Sequence, residues 1–334
     1  MTKPTILTGD RPTGPLHIGH YFGSLLNRKK LEKEYQTYIM IADVQALTDN
    51  WDNSDKVRQN VYQVAADNIA LGLDLNTTRI FIQSQIPQIA ELTVFFSNLV
   101  TVNRLKRNPT VKTEIEQKRE KFGEEGESLT FGFLGYPISQ AGDITILRAN
   151  AVPVGEDQLP VIEQTQEIVE KFNRIYHTEV FPVPKAVLSD APRILGLDGN
   201  AKMSKSLNNA IFLNDSEEDT TAKIKVAKTD SQREITFDPV SRPEVSNLVL
   251  IYSLVNGITC EQAVSDLVGV NYSTFKQKLS KDMNNYFSDF RVRRQEIIEN
   301  TDLIKNVLET GRKTVVLEAE NTMNLVRKAM KIDY

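Results

Sequence analysis

Over its first 83 residues the chain alternates short apolar runs with longer amphipathic ones across brief connectors, and that alternation limits the possible folds more than any other feature. Thr5 to Thr8 reads as a strand, Gly9 to Gly14 as a turn rich in Gly and Pro, and the stretch from near His17 through Lys33 as a helix. Tyr38 to Ala42 is a buried-type strand. Asn53 and Ser54 cap a helix with apolar Val57, Val61, Val64, Ala65 and Ile69 that stops at Gly72, and Arg79 to Gln83 is a third strand. A helix between two strands carries the chain back to the starting edge, so the strands run parallel with helices over the sheet. The expected fold class is α/β, a doubly wound parallel sheet of Rossmann type.

Residues 103–128 are heavily charged, with Arg104, Lys106, Arg107, Lys112, Lys118, Arg119 and Lys121, and read as an insertion between two halves of the sheet. Beyond them Gly135 to Arg148 is helical, Ala151 to Val154 a short strand, Gln158 to Phe172 a helix and Lys185 to Ser189 a last strand. The alternation then ends. From Ser216 the apolar residues fall at helical spacing, as in Leu248, Ile251, Tyr252 and Val255 and later Leu303, Val307 and Leu308, so a smaller all-helical domain is expected. The division is placed at 1–206 and 207–334, with a lysine-serine loop at 198–206 closing the first unit.

At 334 residues, 40% hydrophobic and 25% charged, the chain can bury a core and is not disordered. It lacks the run of about 18 apolar residues that a membrane span needs, and no basic-then-apolar leader opens it, so a cytoplasmic protein with no membrane partner is expected. Cys260 is the sole cysteine, which excludes an internal disulfide and a cysteine-based zinc cluster. A net charge of −4 argues against a general polyanion-coating protein. Residues 271–334 nevertheless carry 12 Lys and Arg against 9 Asp and Glu, which makes them the better place for nucleic acid, with Arg291, Arg293 and Arg294 as the densest basic run.

Two of the three histidines fall in one string, His17-Ile18-Gly19-His20, and Gly9, Gly14, Gly19 and Gly23 crowd the same region. A parallel sheet places ligand loops at strand carboxyl ends. A helix starting at His17 turns its backbone N–H groups and positive dipole end toward such a ligand, which suits phosphate. Gly19 admits a nucleotide ring close to the backbone, and imidazoles donate to phosphoryl oxygens. Two histidines can also hold zinc, but no third ligand stands nearby and His177 is far off in sequence. The second string, Lys202-Met203-Ser204-Lys205-Ser206, follows Asp198-Gly199-Asn200-Ala201. Lysines are compact cations on flexible stems that can close over a polyphosphate. Taken singly, the first string also fits chance occurrence and the second an exposed basic loop.

In this order and spacing the two strings resemble the paired signatures of class I aminoacyl-tRNA synthetases. Gly9 to Gly14 with His17 to Tyr21, Gly135 to Ile144, Val152 to Gln158 and Phe290 to Arg294 narrow the resemblance to the tryptophanyl-tRNA synthetase family over nearly the whole chain. The resemblance implies a ligase that joins L-tryptophan to ATP, releases pyrophosphate and moves the tryptophanyl group to tRNA(Trp), acting as a homodimer with Mg²⁺ on the phosphates. It implies catalytic roles for His17, His20, Lys202 and Lys205. Around ATP it adds Arg11, Pro12, Thr13, Gly19, Lys112, Gly155, Glu156, Asp157, Gln158, Ile194, Met203, Ser204 and Ser206, with no metal ligand on the protein. For tryptophan it implies Asp143, Tyr136, Gln140, Leu7, Val152 and Val154, with Asp143 accepting from the indole N–H. Arg291, Arg293 and Arg294 are expected to meet tRNA.

These implications fit elementary chemistry. The nucleophile would be the substrate's own carboxylate, ionised at neutral pH, so positioning and charge stabilisation suffice and no Ser-His-Asp set is needed. An acceptor in an apolar slot rejects side chains without a donor. On a helix started by Pro137, Asp143 lies on about the same face as Tyr136 and Gln140. Asp157 can hold ribose hydroxyls, cap the helix that follows, or both. Gln45, Gln140 and Gly142 depart from the family pattern, where His, Met and Ala are common, and suggest a more polar pocket rim. Competing readings are a tyrosyl-tRNA synthetase, a nucleotidyltransferase using only the histidine turn, and a synthetase-like protein that binds tRNA without activating an amino acid.

Overall fold

The computed structural model describes residues 3–122, 130–188, 193–199, 203, 207 and 209–334, and within them the alternation folds into one parallel sheet. Its strands are β1 (Thr5–Asp10), β2 (Gln36–Ile41), β3 (Thr78–Ile82), β4 (Ala151–Val154) and β5 (Lys185–Leu188), in the order β3-β2-β1-β4-β5. Every residue of β2 after Gln36 is buried, as a strand covered on both faces requires. The chain builds outward from β1 to β3 and then returns to add β4 on the other side of β1. The crevice outside the carboxyl ends of β1 and β4 is thus the point where strand order reverses, the usual ligand position in such sheets.

Helical segments connect and cover the strands. First come α1 (Ile18–His20), a π-helical stretch (Tyr21–Leu25), α2 (Leu26–Leu31), α3 (Asp43–Asn50) and α4 (Ser54–Ala70). Then follow α5 (Gln88–Ser97), α6 (Val102–Lys106), α7 (Pro109–Phe122), α8 (Phe131–Ile146) and α9 (Leu159–Ile175). After the sheet come α10 (Glu217–Val226), α11 (Pro243–Asn256), α12 (Cys260–Asp266), α13 (Tyr272–Glu299) and α14 (Thr301–Met330). Asn53 caps α4 by accepting from the Lys56 N–H at 3.3 Å, and Gly72 just beyond its end has φ +76°. The charged stretch holds α6 and α7, anchored by buried Leu105 and Val111 and by Asn108, which donates to Gln164 Oε1 on α9 at 2.8 Å. Its residues 123–128, like Ser189 of the expected last strand, lie outside the described residues.

One expectation is corrected: α8 does not start at Pro137. It starts at Phe131, capped by Thr130, which accepts from the Phe133 N–H at 3.2 Å, and Pro137 lies inside it. The proline removes one N–H from the helical ladder, but the buried residues on either side hold the helix together across it.

The core has two hydrophobic clusters on opposite sheet faces. Ile39 and Ile41 of β2 enter one, Tyr38 and Met40 the other, as the two-residue period of a strand dictates. Helix α14 feeds both, Ile304 and Leu308 on one face and Val315, Ala319, Met323 and Val326 on the other, because it crosses the open edge of β3. At the crossing Gly311 lies against the Ile80 carbonyl, where a Cβ would collide with the oxygen. Both clusters draw on residues from either side of position 206. Among the described residues no single helix is long and apolar enough to cross a membrane.

Candidate active site

β1 delivers the chain into the turn that ends at His17, whose extended backbone (φ −124°, ψ 170°) precedes α1. His17 is buried, and its ring centroid lies 3.8 Å from that of His20. The His17 backbone N–H donates to His20 Nδ1 at 3.2 Å, so a neutral His20 keeps its proton on Nε2 and presents that N–H as a donor. Gly19 is required here: a Cβ would stand 2.9 Å from His17 Nδ1. Just beyond, Tyr21 packs edge-on to Phe287 of α13, with centroids 4.8 Å apart.

The turn stands on buried charge that sequence reasoning missed. Arg28 gives Asp10, the last residue of β1, two bonds of 2.6 and 2.8 Å, and Asn68 adds a third at 3.0 Å. Burial pushes the Asp10 carboxyl up, but the Arg28 charge and these bonds outweigh it and hold the pKa at about 2. Asp67, also buried, pairs with Arg294 of α13 at 2.5 Å. Burial raises its pKa to about 6, with the Arg294 guanidinium and the Leu16 backbone N–H pulling the other way. The signal was a set of polar residues falling on the apolar faces of α4 and α13.

The chain leaving the lysine-serine string pairs with the histidine turn. Ile18 N–H donates to the Ile211 carbonyl at 3.0 Å, Leu213 N–H to the Leu16 carbonyl at 2.9 Å, and His17 bridges to Phe212. The base of the string is closed by Leu197 N–H to the Asn209 carbonyl at 2.8 Å and by Asn209 Nδ2 to the Asp198 carboxylate at 3.2 Å. Asn247 of α11 ties the same stem by accepting from Leu195 N–H at 2.8 Å. Met203 is buried in one cluster with Ile18, Ile194 and Ile211, and its Cβ would be 3.9 Å from a Cβ on Gly19. Lys202, Ser204, Lys205 and Ser206 lie outside the described residues, as do Asn200 and Ala201.

Beyond β4, Gly155 leads into a 3₁₀ turn, Glu156–Gln158, in which Asp157 is exposed and accepts from Gln158 Nε2 at 3.0 Å. Helix α9 has Gln158 at its N-cap and no side-chain cap, so Asp157 is not taken up by the helix. Thr110 of α7 donates to the Asp157 carbonyl at 3.0 Å, which brings the charged segment to this turn. Arg11 is exposed and 3.3 Å from Asp49, Pro12 is buried, Thr13 half-buried and Lys112 exposed on α7.

Asp143 on α8 is 3% exposed. Gln83, at the carboxyl end of β3 and 2% exposed, donates from Nε2 to Asp143 Oδ1 at 2.7 Å and accepts at Oε1 from the Gln45 backbone N–H at 3.0 Å. Burial lifts the Asp143 pKa to about 7; the Gln83 bond opposes this and the Asp43 charge adds to it. Gln83 was not anticipated, although a polar residue ending an apolar strand was a usable signal. Tyr136 is buried on the same helix, and burial together with Glu114 of α7 raises its pKa. The charged segment therefore comes up against α8 beside Tyr136. Leu7 of β1 and Val152 of β4 share one apolar cluster, with Val154 packed against it, while Gln140 is half-buried on α8. Gly142 faces α5, where a Cβ would meet Thr93 Oγ1 at 2.9 Å, so the glycine answers to helix packing.

The basic run divides. Arg293 is exposed, with Nε donating to the Ala70 carbonyl at 3.0 Å; Arg291 is half-buried and donates to Thr220 and Asn284. Arg294 is corrected: it is buried against α4 by its pair with Asp67, out of reach of a polyanion. It shares a helical face with buried Phe287, Phe290 and Ile297, a spacing visible in the sequence.

Residues 1–288 match the family model for tRNA synthetases class I (W and Y). The whole chain is 46% identical to the tryptophan–tRNA ligase of Lactococcus lactis, of which it covers 99%, and 44% identical to that of Streptococcus mutans, of which it covers 100%. Its fold is similar to the crystal structure of tryptophanyl-tRNA synthetase from Campylobacter jejuni complexed with ADP and tryptophan, with a TM-score of 0.83 at 28% identity over 98% of this chain and 99% of that one. The chain belongs to the class I tRNA synthetases of the tryptophan and tyrosine family, on the tryptophanyl-tRNA synthetase branch.

Proposed function

We infer that this chain activates L-tryptophan with ATP, giving tryptophanyl adenylate and pyrophosphate, and then transfers the tryptophanyl group to tRNA(Trp). The reading is carried by one observation: past the carboxyl end of β1 a histidine turn is hydrogen-bonded to the chain leaving a lysine-serine string, while Asp143 stands buried on α8 against Gln83 at the carboxyl end of β3. The full-length relatives are tryptophan–tRNA ligases.

In this reading the tryptophan carboxylate attacks the α-phosphorus and pyrophosphate leaves, so no protein group needs to take a proton. His17 and His20 hold phosphoryl oxygens, His20 through Nε2–H, while Gly19, Ile194 and Met203 border the adenine. Lys202 and Lys205, with Ser204 and Ser206, draw charge from the leaving pyrophosphate, and Arg11, Pro12, Thr13 and Lys112 edge the triphosphate. Gly155, Glu156, Asp157 and Gln158 receive the ribose. Mg²⁺ enters as part of the Mg-ATP substrate; among the described residues no three His, Cys, Asp or Glu side chains converge on a metal position. Leu7, Tyr136, Gln140, Val152 and Val154 enclose the indole, and Asp143 accepts its N–H. The terminal ribose hydroxyl of tRNA then attacks the acyl carbon, the acyl–phosphate bond breaks, and the hydroxyl proton passes to the departing phosphate as AMP is released.

Residues 1–206 are assigned to activation and 207–334 to tRNA, with Arg291 and Arg293 facing the polyanion. Exposed Val94 and Phe131, on the packed helices α5 and α8, offer apolar surface to a second copy in a homodimer. ATP–pyrophosphate exchange run separately with tryptophan and tyrosine tests the reading. Exchange driven by tryptophan is expected; exchange driven by tyrosine alone would make the chain a tyrosyl enzyme, and tRNA binding without exchange would make it a non-catalytic binder.

A further inference from the structure

A glutamine amide has one donor end and one acceptor end, and its own chemistry does not decide which neighbour each end meets. At Gln83 the choice is imposed by main chain. The Gln45 N–H points at Oε1, so Nε2 must face Asp143; a flipped amide would set N–H against N–H and carbonyl oxygen against carboxylate oxygen. A second link holds the same junction, because the Ser84 N–H and hydroxyl both donate to Asp43 of α3, at 2.9 and 2.5 Å. Helix α3, the end of β3 and helix α8 therefore meet in a fixed arrangement. With Oδ1 of Asp143 engaged as an acceptor, Oδ2 is the oxygen that must change character if the carboxyl gains a proton.

We propose that Gln83 is a positioning residue for tryptophan selection: clamped by the Gln45 main chain, it aims Asp143 and keeps its carboxylate an acceptor for the indole N–H. The proposal rests on the reading of Asp143 as the indole acceptor given above. A hydroxylated or ionised neighbour at position 83 would not serve equally, since the role needs a neutral side chain with a donor at one end and an acceptor at the other. The charged groups around this assembly are Asp43 on α3 and, at Tyr136 on the same face of α8, Glu114, Arg11 and Asp49.

The test uses full-length Gln83→Met, which keeps length and removes both hydrogen bonds, Gln83→Glu, which keeps shape and replaces the donor, and Asp143→Ala. Each is assayed by ATP–pyrophosphate exchange with tryptophan and with benzothienylalanine, in which sulfur replaces the indole N–H. Loss of one hydrogen bond to a charged group predicts a rise of about 10-fold or more in the tryptophan KM of both Gln83 variants, with the ATP KM within about threefold of wild type. The preference for tryptophan over the sulfur analogue should fall by a similar factor. Because the Gln83 bond favours the ionised carboxyl, the acid limb of tryptophan kcat/KM should move to higher pH in Gln83→Met. If Asp143→Ala impairs selection while both Gln83 variants keep wild-type selectivity and pH profile, the proposal is overturned and the role of Asp143 stands. If tryptophan and ATP KM worsen together with selectivity unchanged, Gln83 is structural only. If Asp143→Ala itself leaves selectivity intact, the underlying assignment of the indole acceptor fails and the proposal falls with it.

Discussion

Arg28 is 1% exposed and gives both terminal nitrogens of its guanidinium to Asp10, so the loop from Arg11 to His17 springs from a neutralised pair. Replacing Arg28 by Met would leave the Asp10 charge buried without its cation, at a cost of about 3–5 kcal/mol near neutral pH. In the native protein Asp10, depressed from 3.8 to about 2, contributes stability above pH 4 that is lost as pH falls toward 2. In Arg28→Met burial loses its largest opponent and only the Asn68 bond and the His20 charge remain against it, so that pKa rises and protonation relieves the variant as the medium is acidified. Urea unfolding at pH 8 and pH 5 should therefore show a smaller gap between the two proteins at pH 5; a gap independent of pH would mean that Arg28 contributes packing and not charge. Lys205 is proposed to belong to the chemistry instead. On the proposed reading Lys205→Ala lowers the single-turnover rate of adenylate formation by about 100-fold, the size of one lost transition-state donor, and a rate within twofold of wild type would remove it from the mechanism.

Helix α14 solves a problem created by the sheet. β3 is an edge strand, and an open edge invites pairing with other chains unless something covers it. α14 lies across that edge with Gly311 at the closest approach, its two halves reaching opposite sheet faces. A side chain at 311 has to push the helix off the strand and loosen both clusters together. Gly311→Val is expected to lose about 3 kcal/mol, the upper part of the overpacking range, and to lower the thermal midpoint measured by calorimetry. An unchanged midpoint would show that the helix can shift without cost. Gly311→Ala should fall between the two, although alanine is the better helix former.

Helix α13 joins the histidine turn to the basic surface, through the Arg294–Asp67 pair and through the packing of Phe287 on Tyr21. Two adjacent arginines should accordingly behave differently. Arg293→Ala is expected to weaken tRNA binding and to flatten its log–log salt dependence by about one charge, with unfolding barely altered. Arg294→Met should destabilise the fold by removing a partner from buried Asp67, with little change in the salt slope. Filter binding over 50–200 mM salt, paired with denaturation, separates them; a slope unaffected by Arg293→Ala would take the phosphates away from this surface.

The strand order of appearance, the Asn53 cap, the Gly72 stop and the histidine turn were all legible because each depends on near neighbours: a period of two or 3.6, a side chain reaching three residues along, a backbone that tolerates only glycine. The start of α8 was misplaced because a proline that often begins a helix is here held inside one by its buried flanks. The alternation of apolar and amphipathic runs was enough for the α/β class, and the resemblance carried by the paired strings and the segments around them for the family. Which polar residues face inward was decided only by tertiary contact. Arg294, Asp67, Arg28 and Gln83 look like surface residues one at a time, and become interior because partners up to 231 positions away arrive to satisfy them. Burial of charge is a property of the assembled neighbourhood, since desolvation is offset only when both partners are in place.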